Sequence, residues 1–117
     1  MLTVYGIPNC DTVKKVRTWL DKNSIEYQFH DYKKEGITAE KINKWFMQFP
    51  VEKVLNKAST TWKELSTEEK ASVIDKKSAI ELMVSKTSAI KRPVIEDETG
   101  KAVAVGWSEK EYEKLFL

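Results

Sequence analysis

The chain has 117 residues, a formal net charge of +2, and 32% charged against 41% hydrophobic residues. That size gives one domain whose core needs neither disulfides nor a structural metal, and one cysteine with one histidine excludes a conventional zinc site. The balanced charge excludes the clustered basic face of a dedicated nucleic-acid binder. No apolar run approaches the roughly 20 residues that cross a bilayer, and the first residues do not read as a secretory signal, so a cytoplasmic chain is expected.

Leu2 to Tyr5 reads as a short buried strand, followed by a turn marked by Gly6 and Pro8. Cys10 stands where an amphipathic helix begins, with Asp11 or Thr12 as its cap and Val13, Val16, Trp19 and Leu20 on one stripe. Ile25 to Asp31 alternates apolar and polar and predicts a second strand, parallel to the first through a right-handed crossover. Thr38 is placed to cap a helix carrying Ile42, Trp45, Phe46 and Phe49, and Pro50 to start a short helix over Val51 to Leu55. Ser66 and Glu69 form a capping-box pattern before Lys70 to Ile74, and Ser78 opens a helix with Ile80, Leu82 and Met83 inside. Ile90 to Glu96 and Ala102 to Gly106 read as a hairpin around Gly100. Ser108 caps a last helix with Tyr112, Leu115 and Phe116 inward. The order predicts an α/β chain of thioredoxin-like arrangement: a small mixed sheet flanked by helices, with a helical insertion over about residues 38–86.

The chemistry centres on Cys10. The amides at a helix N-terminus favour a thiolate over a thiol, whereas free cysteine, with a reference pKa of about 8.5, is only a few per cent ionised near neutrality. A small buried side chain is the other reading, and both are open at this point. Lys14 and Lys15 lie one turn into the helix, where either adds positive potential or forms a solvated face. If the turn before the third strand abuts the end of the first, Arg92 can face Cys10 and grip a carboxylate or other anion, and Pro93 can enter through a cis bond. Asn9, Lys14, Arg92 and Pro93 are the expected substrate-binding residues, and His30 is expected to be structural or exposed. Val13 stands where a second redox cysteine would be, so turnover requires an outside thiol, with glutathione the expected co-substrate and no bound cofactor.

Four blocks in order, Tyr5 to Leu20, Tyr27 to Gly36, Leu55 to Leu65 and Ile90 to Pro93, resemble the arsenate reductase (ArsC)-like family. The similarity is to its YffB type, which is grouped with the Spx/MgsR regulators. The resemblance implies a thioredoxin-like fold with a helical insertion, Cys10 as redox thiol, and Arg92–Pro93 as the substrate-side loop with a cis proline. Family arsenate reductases bind the oxyanion with three arginines; one matches Arg92, while the others fall at about Asn56 and Val105. An Arg-Gly pair of the YffB branch is replaced by Ala58-Ser59. The expected function is a monomeric, glutathione-dependent thiol-disulfide oxidoreductase. The alternatives are an Spx/MgsR-like regulator that binds the C-terminal domain of the RNA polymerase α subunit and, third, arsenate reductase proper.

Overall fold

The computed structural model describes the whole chain, Met1–Leu117. It divides into two compact units, one formed by residues 1–35 with 92–117 and the other by residues 36–91. No helix is long and apolar enough to cross a membrane.

The first unit is a four-stranded mixed sheet. Strands β1 (Leu2–Gly6), β2 (Tyr27–Asp31), β3 (Val94–Glu96) and β4 (Ala102–Val105) lie in the order β2-β1-β3-β4. Strand β1 runs parallel to β2, with Val4 opposite Phe29, and antiparallel to β3, with Val4 opposite Ile95. Helices α1 (Asp11–Lys22) and α8 (Glu109–Phe116) supply apolar stripes to one core: Leu2, Val4, Val16, Leu20, Ile95, Ala104 and Tyr112 are all buried. Alternation along the strands explains this set, because Leu2 and Val4 share one face of β1. Tyr112 ties the end of the sheet to α8 by donating its hydroxyl to the Gly106 carbonyl at 2.6 Å. The Trp19 and Trp107 rings meet the Tyr112 ring edge-on at 5.6 and 4.9 Å. Leu115, expected inward, is 48% exposed; only the Tyr112 and Phe116 positions of this short helix face the sheet.

On the opposite face of β1, Tyr5 donates to Glu96 at 2.9 Å across the buried β1–β3 pair. Its ring packs on His30 at 4.7 Å, and His30 Nδ1 lies 3.8 Å from the carboxylate of Glu35 in α2 (Tyr32–Glu35).

The second unit is helical: α3 (Ala39–Trp45), α4 (Val51–Val54), α5 (Thr60–Lys63), α6 (Thr67–Ala71) and α7 (Lys76–Ser85), closed by a 3₁₀ turn over Thr87–Ala89. Thr38 caps α3 as expected, accepting from the Lys41 amide at 3.2 Å, and Ser66 with Glu69 forms the expected capping box. The cap of α7 is Asp75, not Ser78, which sits at the third helical position and completes a capping box with it. An aspartate three residues earlier outcompetes the serine because its carboxylate accepts from the Ser78 amide while the Ser78 hydroxyl returns the bond. The buried face of α7 is therefore Ala79 and Met83, with Ile80 and Leu82 half-buried.

The unit extends to Lys91 rather than to about 86. Leu55 bridges Ile90, the Asn56 amide donates to Ala89 at 2.7 Å, and the Lys91 amide donates to Val54 at 2.7 Å. Those bonds claim the first residues of the expected Ile90–Glu96 strand and shorten β3 to three residues.

Candidate active site

Strand β1 ends at Gly6, and the chain turns through residues 7–9 to place Cys10 at the N-cap of α1. The cap is the cysteine itself, not Asp11 or Thr12. Its backbone is extended (φ −101°, ψ 128°), and its carbonyl accepts from the Lys14 amide at 3.0 Å. Close packing fixes this placement. A Cβ on Gly6 would lie 2.8 Å from Cγ2 of the fully buried Val13, so only glycine lets the first turn of α1 approach the strand this closely.

The sulfur is half-buried. Burial is the largest influence on its pKa and pushes it up, but the amides of Val13 and Thr12 and the Arg92 side chain together outweigh it. The net shift is downward. Sγ closes no full capping hydrogen bond, yet the first-turn amides face it closely enough to favour the anion. Arg92 acts twice, as a hydrogen-bond donor and as a charge. A lowered pKa enlarges the thiolate fraction, the form in which a cysteine reacts as a nucleophile.

The sheet brings Arg92 to this end: Tyr5 pairs with Val94, two residues on, and the Arg92–Pro93 bond is cis. The Pro93 carbonyl accepts from the Gly106 amide at 2.8 Å, fixing the loop against β4. Arg92 also bears on Tyr32, which is fully buried; burial raises that phenol most and Arg92 partly offsets it. The guanidinium therefore lies within reach of both Cys10 and Tyr32. Of the other expected binding residues, Asn9 is exposed in the presenting turn and Lys14 is exposed on the first turn of α1, outside the set of groups that act on the thiol.

Asn56 serves its own loop: its Oδ1 accepts from the Ala58 amide at 3.1 Å, and its carbonyl from the Ser59 hydroxyl at 2.7 Å. Val105 is buried in β4. Trp62, at α5, lies 5.3 Å from the Lys57 ammonium, a cation–π contact. The sequence reading missed Tyr32 as a neighbour of Arg92 and Gly6 as the residue that sets the helix on the strand. The strand-turn-helix pattern pointed to the second, but nothing in the spacing pointed to the first.

If Arg92 holds the thiolate, Arg92→Gln should raise the apparent pKa of Cys10, because a charge-assisted donor to the sulfur is lost. The thiolate fraction at neutral pH would then fall while each thiolate becomes more nucleophilic, for a net loss of up to about threefold in alkylation rate. Iodoacetamide rates across pH measure both terms, and an unmoved profile would remove Arg92 from the site.

A model of the ArsC family matches residues 5–115. Among solved structures, a YffB protein is 41% identical with a TM-score of 0.92, the match covering 100% of both chains. An arsenate reductase (ArsC) related protein from Brucella melitensis is 45% identical with a TM-score of 0.75, over 98% of this chain and 93% of that one. The regulatory protein MgsR of Bacillus subtilis is 26% identical over 97% of this chain and 89% of its own length.

Proposed function

This chain belongs to the ArsC family, and we propose that it works as a glutathione-dependent thiol oxidoreductase with Cys10 as nucleophile. The observation that carries the reading is the convergence of Arg92 and the Thr12 and Val13 amides on one half-buried sulfur. In the proposed cycle the Cys10 thiolate attacks a sulfur of a mixed disulfide between glutathione and a substrate. One S–S bond breaks, another forms, and the substrate leaves as its thiolate. A second glutathione thiolate then attacks the Cys10–glutathione disulfide, releasing oxidised glutathione and regenerating Cys10. The chain has no second cysteine to do this internally.

Arg92 carries five N–H donors, enough to face the sulfur and a glutathione carboxylate together, and the loop at Pro93 receives the extended peptide. Arsenate reduction fits less well, because of three family arginine positions only Arg92 carries a guanidinium. The test is a reaction with oxidised glutathione followed by intact-mass measurement. The expected result is one glutathionyl group on Cys10, removed by excess reduced glutathione, with catalysed turnover of a glutathionylated peptide. A Cys10 that refuses glutathione while alkylating readily would overturn the proposal.

The similarity to MgsR favours a second reading, a regulator that binds the C-terminal domain of the RNA polymerase α subunit. Direct titration with that isolated domain separates the readings, and a clean negative removes the regulator.

A further inference from the structure

The sheet end remote from Cys10 carries a groove of about 530 Å³, formed within the first unit. Its floor is apolar, with Leu2, Val103 and Phe116, and its rim holds the carboxylates of Glu26, Asp97 and Glu98. Two further apolar side chains on the lining are largely uncovered: Met1 is 59% and Leu115 48% exposed. No lysine or arginine lines the groove, although the chain has 20 of them and a positive net charge. An apolar groove left uncovered at Met1 and Leu115, with three side-chain carboxylates and no side-chain cation on its lining, is the pattern of an interaction surface rather than of ordinary solvated exterior.

The carboxylates are not equivalent. Oδ1 of Asp97 is engaged by the amides of its own turn, Thr99 at 2.9 Å and Lys101 at 3.2 Å. Glu26 and Glu98 project at the rim, and the Met1 ammonium already lies 4.0 Å from Glu98. That ammonium is the one positive charge on the lining, and it leaves Glu26 without a cation among the lining residues.

We propose that this groove docks a basic, apolar peptide segment of a partner protein, with an apolar side chain among Leu2, Val103 and Phe116 and flanking lysines or arginines over Glu26 and Glu98. Strand β1 separates this pole from Cys10 by its five residues, about 16 Å at some 3.3 Å per residue. A segment seated here leaves the thiol open, so docking goes beyond the redox chemistry proposed above and stands or falls apart from it.

The experiment is a methyl and amide NMR titration of the full chain with a capped six-residue peptide, two lysines on each side of a leucine–phenylalanine pair. Saturable shifts are expected at Leu2, Val103 and Leu115, with a dissociation constant below about 1 mM. Binding should weaken about tenfold in the Glu26→Gln/Glu98→Gln double variant, and as much when the peptide's apolar pair becomes serine or its lysines become glutamate. The alkylation rate of Cys10 should not change. Shifts that are absent, scattered over the surface, or indifferent to the double variant overturn the proposal. So does slowed Cys10 alkylation, or a concentration-dependent shift without peptide, which would make the occupant a second copy.

Discussion

Cys10→Ser is expected to abolish turnover of glutathione mixed disulfides while leaving the fold intact. A hydroxyl at this position is not ionised at neutral pH and forms no disulfide, so neither half of the proposed cycle survives. Stability should respond in the opposite sense at low pH. Serine is among the better N-cap residues and can accept from the Val13 amide, whereas the sulfur closes no capping hydrogen bond. Near pH 6 the variant should therefore match or exceed the native chain by up to about 1 kcal/mol. Folding lowers the Cys10 pKa, so the thiolate contributes stability that is complete above the unfolded thiol's value and fades as pH falls through the folded one. The advantage of serine should shrink or reverse near pH 9. Chemical denaturation at the two pH values checks the sign, and a serine variant that retains turnover would end the nucleophile assignment.

Gly6→Ala carries the second large effect. Its Cβ would stand 2.8 Å from a methyl of Val13, a β-branched and fully buried side chain with little freedom to turn aside. Overpacking of this kind costs about 1–3 kcal/mol, which lowers the thermal midpoint of a chain this long by about 4 °C per kcal/mol. Moving α1 away from β1 also moves the amides that face Cys10, so thiol reactivity should fall with stability. The double variant Gly6→Ala/Val13→Ala should recover much of the packing strain, and the coupling between the two positions is the decisive quantity. Additive effects would mean that the close approach is not what seats the helix.

Much of this arrangement was legible from residue pattern alone. Alternation in Leu2 to Tyr5, the 3.6-residue stripe of Val13, Val16 and Leu20, and the turn at Gly100 predicted elements that form where expected. Short-range rules located the caps at Thr38, Ser66 and Ser108 for the same reason: a cap is decided within four residues. The cap of α7 went to Asp75 because two candidates three residues apart competed. The late start of the third strand depended on Leu55 and Val54, some 35 residues upstream, which no local pattern reveals. At the site, the approach of Arg92 to Cys10 was readable from the turn before the third strand. The role of Tyr32 was not, because its proximity to Arg92 arises only when the sheet assembles.

The Tyr5–Glu96 hydrogen bond joins residues 91 positions apart. Closing a loop of that size costs about 4 kcal/mol of chain entropy before any contact across it is made. During synthesis, β1 therefore has no β3 to pair with until nearly the whole polypeptide has emerged. For that interval the Cys10 thiol lacks Arg92 beside it, and nascent molecules should react with electrophiles a few-fold more slowly than folded ones near neutral pH. The alkylation rate of Cys10 would then rise as β3 joins β1, so that it reports when the sheet closes.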